Sequence, residues 1–220
     1  MKTLLCLLLL LLTSLTTFAQ YGYRDGNRIG LTAGLNQTTL TTSNFNTKPL
    51  LGWNAGMSVR GNYYNNWSMV FGMQFFENHY AVETVSPILL QQQDVDYKIM
   101  GAQIRLLFSY NIVKNKVSLD FGPVLQVNGK VLYDKADENN VISGTLLKTS
   151  QIADVTNING NLYAGVSAGN KRVRAIVFYQ YGVNNFLNKL NQDAALKLVN
   201  GNKDFKGHLG IISAQVLFNL

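Results

Sequence analysis

The chain has 220 residues, 14% of them charged and 47% hydrophobic, with a single cysteine and a net charge of +7. That length suits one domain, and no Pro- or Ser-rich linker divides it. One cysteine, Cys6, excludes a disulfide framework, and the basic residues fall partly at short turns instead of forming a stripe interleaved with aromatics, which excludes a nucleic-acid-binding role.

Met1, Lys2 and Thr3 place a positive charge ahead of an apolar run from Leu4 to Leu12, and small polar residues follow from Thr13 to Thr17. This order predicts a secretory signal peptide over residues 1–19, cleaved before Gln20, and a single domain over 20–220. The run is too short for a permanent anchor, because a spanning helix needs about twenty apolar residues, and no later segment reaches that length either. Cys6 leaves with the signal, and its place near the start of the run argues against lipidation.

From Asn27 onward, eight segments alternate apolar and polar residues, the two-residue period of a strand whose faces meet different media. The apolar face reads Ile29, Leu31, Ala33 and Leu35 in the first segment, then Trp53, Ala55, Met57 and Val59. The third gives Trp67, Met69, Phe71, Met73 and Phe75, and the fourth Met100, Ala102, Ile104, Leu106, Phe108 and Tyr110. Val117 to Val127, Leu162 to Val166, Val173 to Tyr181 and Ile212 to Leu220 continue the pattern. The other face is small and polar: Gly30, Thr32 and Gly34, then Asn54, Gly56 and Ser58, then Gln74, Gln103, Gln126, Gln180 and Gln215. It also carries some apolar residues, among them Val70, Leu107, Val124, Ile176, Phe178 and Leu217.

Eight strands enclose a space just wide enough to be filled by side chains, so the small, glycine-rich face belongs inside and the bulky face outside. A soluble monomer rarely exposes so large an apolar surface, and the surrounding medium is therefore expected to be hydrocarbon. The expected fold is all-β: a transmembrane eight-stranded antiparallel up-and-down β-barrel. Connections alternate in length, as outer-membrane barrels require. The segments from Gln37 to Leu50, His79 to Asp96, Asp134 to Asn157 and Asn188 to Asp204 read as long outer loops. Those at Asn62 to Asn66, Val113 to Lys116 and Gly169 to Arg172 read as short turns. Tyr63, Trp67 and Tyr110 at the turn end, and Trp53, Tyr97, Tyr133, Tyr179 and Tyr181 at the loop end, are expected to form two interfacial girdles.

Arg28, Arg60, Arg105, Arg174 and Asp120 fall on the inward face. In so narrow a lumen these charges are expected to pair or hydrogen-bond as a structural polar plug, with an arginine-lined ion path as the alternative. Pro123 lacks a ladder donor and predicts a bulge or local distortion. Leu187, Leu190, Ala194 and Leu198 have helical spacing and predict a short amphipathic helix at the rim. His79 and His208 are the only histidines; neither has a serine and an acid placed for nucleophilic chemistry, and the acids around His79 match no metal motif. No catalytic residue, metal or cofactor is expected.

The glycine-bearing run Ile29-Gly30-Leu31-Thr32-Ala33-Gly34-Leu35-Asn36, the Gly52-Trp53-Asn54-Ala55-Gly56 segment and Phe121-Gly122-Pro123 resemble the PorT-like outer-membrane β-barrel family, over roughly Asn27 to Leu220. The fourth segment departs from the family, with Met100-Gly101-Ala102 where other members often carry a proline. The resemblance implies a Gram-negative outer-membrane location. Expected partners are outer-membrane lipids and lipopolysaccharide, the barrel-insertion machinery, and an envelope or secretion protein reached through the loops. The leading expectation is a structural or interaction protein without enzymatic activity. A transport or secretion accessory is the first alternative and a lipid-A-modifying enzyme the second.

Overall fold

Alternating side chains dictate a sheet with one apolar and one polar face, and closing that sheet leaves no unpaired edge. The computed structural model describes residues 27–62, 66–87 and 90–220, so the expected signal peptide, Tyr63 and Tyr64 lie outside the described residues. The strands are β1 (Arg28–Thr42), β2 (Thr47–Asn62), β3 (Trp67–Val85), β4 (Gln92–Val113), β5 (Val117–Leu132), β6 (Val141–Ile142), β7 (Ile158–Gly169), β8 (Val173–Gly182) and β9 (Gly207–Asn219). Eight of them, all but β6, pair with their neighbours in an antiparallel up-and-down barrel that closes through β1 and β9.

Register puts like with like. Leu31 faces Met57, Met57 faces Met73, Met73 faces Ile104 and Ile104 faces Leu125, giving an unbroken apolar belt across five strands. All five of these side chains are exposed on the outer wall. One residue along, Thr32, Gly56, Gln74, Gln103 and Gln126 are paired in the same way and face inward. Gly56 is required there, since a Cβ would lie 2.1 Å from the carbonyl oxygen of Met73.

Two expectations change. The strands run further than the alternation suggested: β3 continues to Val85 and β4 begins at Gln92, inside the segment expected to be a loop. Trp53 on the apolar face is level with Glu77, so the β3–β4 hairpin rises roughly 26 Å above it at the usual strand rise. Pro123 makes no bulge, because it keeps register with Leu162, but the ladder to β4 is locally interrupted, with no pairing between Arg105–Val124 and Phe108–Phe121; register shifts between Pro49 and Trp53, between Ile99 and Gly101, and between Asn111 and Val113. A proline's lost donor removes bonds from the ladder without moving its register.

The segment between β5 and β7 crosses the barrel mouth. It leaves beside β4, receives a hydrogen bond from the Tyr97 hydroxyl at the carbonyl of Thr149, and adds β6 to β3, where Thr84 faces Ile142. β2 reaches only to the level of Val82, so β6 takes up the edge that β2 leaves open.

Candidate functional site

The interior is layered. At the turn end, Arg60 Nη2 lies 3.4 Å from Asp120 Oδ1, and its other terminal nitrogen donates to Ser109 Oγ. Ser118 donates to the same Asp120 oxygen at 3.1 Å. Arg174 donates to the carbonyl and hydroxyl of Ser167 at 3.1 and 3.0 Å and, over longer distances, to Ser118 Oγ and the carbonyl of Asn115. Half-buried Arg28 donates to Asn115 Oδ1 at 3.1 Å.

Arg105 does not join this ionic layer by any hydrogen bond from its Nε or Nη1. It lies over the rings of Tyr163 and Phe178, 5.8 Å from each centroid, where a cation meets the negative face of an aromatic ring. Gly72 makes room for it, since a Cβ there would come within 2.7 Å of the Arg105 Nε. These two rings, with Val70, Leu107, Val124, Ile176 and Leu217, form a dry septum across the barrel. The inward-facing apolar residues of the sequence thus have a place: they separate two polar layers.

Above the septum, amides span the lumen from wall to wall. Gln74 donates to Gln215 and Thr32, Gln103 donates to Gln74, Gln180 donates to Gln103 and Gln126, and Asn161 donates to Gln126, at 2.8 to 3.2 Å. Buried amides are costly unless paired, and side-chain networks of this kind reinforce one another. A cavity of about 10 Å³, room for about one water, lies against this layer between Gln103, Gln180, Asn36 and Asn78.

The loop end is closed by an apolar cap. Tyr80, Val82, Val95 and Tyr97 from the β3–β4 hairpin meet Ile142, Leu147, Ile152 and Val155 from the crossing segment. Phe186, Leu187, Leu190, Leu196 and Phe205 from the connection between β8 and β9 complete it, all buried. Tyr80 and Tyr97 stack with ring centroids 5.4 Å apart, and Phe186 meets Tyr80 edge-on. Burial pushes both phenols up, so neither carries charge at physiological pH.

This cap overturns part of the expected outer girdle. Tyr97 points inward and is fully buried, and Tyr133 is half-buried against the cap core. Trp53, Tyr179 and Tyr181 are exposed at the loop end, and Trp67 and Tyr110 at the turn end, where these two rings pack 5.1 Å apart. The expected rim helix divides into a 3-10 turn, Asn188–Gln192, and a six-residue helix, Ala194–Val199. Leu187 and Leu190 are buried in the cap while Leu198 faces out, because Asp193 caps a new helix and resets the phase.

The histidines lie apart. His208 Nδ1 donates to Gly182 O and its ring stacks on Tyr181; Asp204, near it in sequence, pairs with Lys197 instead. His79 sits on the outer face of the hairpin between Glu77 and Asp96, at 3.0 and 2.9 Å, with Lys98 also on Glu77. No group of His, Cys, Asp or Glu among the described residues could hold a metal ion.

Desolvation pulls the His79 pKa down, but hydrogen bonds to Glu77 and Asp96 outweigh it, and the result lies above the ordinary 6.5. Protonation therefore stabilises the hairpin fully below about pH 6.5, and that contribution fades as pH rises through the higher folded value. The expected size is under about 1 kcal/mol, since Asp96 is solvated. Hydrogen exchange of β3 and β4 above Trp53, corrected for intrinsic rates, should quicken from pH 6 to pH 8 in the native chain and not in His79→Gln.

No family model and no curated protein matches the chain. Among solved structures it is similar to Neisserial surface protein A, with 13% identity and a TM-score of 0.48 over 89% of this chain and 100% of that one. It is also similar to Ail, the attachment invasion locus protein of Yersinia pestis, in complex with the heparin analogue sucrose octasulfate, with 10% identity and a TM-score of 0.47 over 89% and 99% of the two chains. A third is the outer membrane protein OprG from Pseudomonas aeruginosa, with 8% identity and a TM-score of 0.44 over 90% and 95%.

Proposed function

We propose that this chain is an integral outer-membrane protein whose sealed barrel anchors an ordered cap at the cell surface, with a structural or interaction role and no catalytic activity. The observation that carries this reading is the blocked interior. An ionic layer, an apolar septum, an amide layer and an apolar cap succeed one another along the axis. A pore needs a continuous wet path; an anchor needs only a stable wall.

The outer wall supports the membrane location. It exposes Leu31, Phe71, Phe75, Ile104, Leu125 and Val177 between aromatic rings at both ends, and a closed barrel satisfies the backbone internally, as hydrocarbon demands. Outer-leaflet lipids and lipopolysaccharide are then the immediate neighbours, and the barrel-insertion machinery delivers the chain. Any envelope or secretion partner would meet the cap. Membership of the PorT-like family is supported by the glycine-bearing β1 and the Phe121 to Pro123 segment.

Single cysteines test location and orientation together. With Cys6 removed, Leu146→Cys in the crossing segment should react with a membrane-impermeant maleimide on intact cells. Asn170→Cys in the turn between β7 and β8 should react only after the outer membrane is opened. Both positions are exposed, so the reverse pattern would refute the orientation. Purified protein should add no steady conductance to a planar bilayer, and stable single-channel openings would defeat the sealed-anchor reading.

A further inference from the structure

Charge is unevenly divided between the two ends of the barrel. Every side-chain carboxylate among the described residues, apart from buried Asp120, lies at the loop end, from Glu77 and Asp94 on the hairpin to Asp204 before β9. The turn end carries Lys114 and Lys116 between β4 and β5, and Lys171 and Arg172 between β7 and β8, all exposed. Lys171 has a contact of its own, but Lys114, Lys116 and Arg172 form no ion pair among the described residues. The two turns touch, since Gly169 N donates to the carbonyl of Lys116 at 2.8 Å. A cationic rim therefore lies below β5, β7 and β8.

The wall above this rim is not smooth. A depression of about 660 Å³ opens on its outer face, with Ala164 of β7 on the floor, Leu119 and Phe121 of β5 on one side, and Val177 and Tyr179 of β8 on the other. Register places Phe121 and Tyr179 on either side of Ala164, and Leu119 and Val177 on either side of Val166. Toward the rim the next outward residues on β7 and β8 are Ala168 and Ala175, which face each other, so the lane stays shallow down to Gly169. From Ala164 to Gly169 is about 17 Å at the usual strand rise. That is close to the depth of one leaflet, half of a hydrocarbon core about 30 Å thick.

We infer that one anionic glycerophospholipid of the periplasmic leaflet docks here, with an acyl chain in the depression and its phosphate at Lys116 and Arg172. The inference rests on the membrane location and orientation proposed above and adds the lipid class. The depression is lined by apolar side chains, which suit a hydrocarbon chain. An arginine offers a phosphate paired N–H donors, and charge-assisted hydrogen bonds of this kind are the strong class. A zwitterionic headgroup would bring its own ammonium against three unpaired cations, whereas a headgroup of net negative charge meets no exposed side-chain carboxylate at this end among the described residues.

The test uses the refolded barrel in mixed micelles holding equal amounts of phosphatidylglycerol and phosphatidylcholine with the same acyl chains, read by native mass spectrometry. The native chain should retain one phosphatidylglycerol in preference to phosphatidylcholine by roughly tenfold or more, since each cation near an anionic headgroup contributes about fivefold. Replacing Lys114, Lys116 and Arg172 together by glutamine should bring the ratio close to one. Ala164→Phe fills the depression and should lower phosphatidylglycerol retention several-fold, while Ala33→Phe on β1, three strands away and equally exposed, should not. Heat-modifiable migration checks that each variant is folded. Equal retention of the two lipids by the native chain would overturn the inference, as would a preference that survives loss of the three cations. So would identical behaviour of Ala164→Phe and Ala33→Phe, or a dimer of this chain that Ala164→Phe breaks. A chain that fails to insert into vesicles would sink the outer-membrane reading itself, whereas an inserted barrel without lipid preference sinks only this inference.

Discussion

Arg60→Leu is expected to destabilise the barrel by about 3–5 kcal/mol, the usual consequence of stripping one partner from a buried ion pair. Asp120 would keep the Ser118 hydroxyl but lose the guanidinium 3.4 Å away, in a layer from which water is largely excluded. Urea unfolding from lipid vesicles, followed by the fluorescence of Trp53 and Trp67, reads the loss directly, since these are the only tryptophans. The double variant Arg60→Leu with Asp120→Asn should recover part of the stability, because the carboxylate is no longer left without its guanidinium while the buried Arg105 and Arg174 lose the one buried carboxylate near them among the described residues. If the single variant unfolds like the native chain, the pair is not a determinant of the fold.

Phe186→Ala should act on the other end and in a different way. The ring is fully buried at the centre of the cap, and its backbone ties the crossing segment to β9 through Thr156 N to Phe186 O at 2.9 Å and Phe186 N to Gly207 O at 2.7 Å. Losing the ring should cost about 3–5 kcal/mol of cap stability. Trypsin cleavage within residues 134–157 should then quicken by roughly a hundredfold to a few thousandfold, as opening becomes more frequent. The heat-modifiable migration of the barrel should not change, because the wall below the cap keeps its pairing. Loss of both together would mean that cap and wall unfold as one unit.

The wall was legible in the sequence and the cap was not. Strict alternation in β1, β2 and β3 fixes which side chains look outward, because a one-residue slip would turn every Leu and Phe of those strands into the lumen. The inward charges were legible for the same reason. What alternation alone does not show is the change of inward chemistry along one strand: on β3, Gln74 gives way to Phe76, then Asn78, then Tyr80 and Val82. The outward side chains above Phe75 become Glu77, His79 and Glu83, so the familiar apolar face disappears and the strand reads as a loop. A signal was nevertheless present. Ile142, Leu147, Ile152, Val155, Phe186, Leu187 and Leu190 recur through segments otherwise rich in Asn, Thr and Ser, more often than solvated loops need. Tyr97 was misplaced for a related reason, since interfacial and buried tyrosines look alike without the level of the membrane boundary.

β6 has only two residues, yet it joins a segment that departs from β5 to a stave two places along the wall, past β4. That junction has meaning only once β3, β4 and β5 stand in order and β2 has ended short of the top. A chain whose wall is still incomplete offers no such landing place. The outer surface of the cap is thereby reserved for finished molecules, and its presence reports a completed barrel.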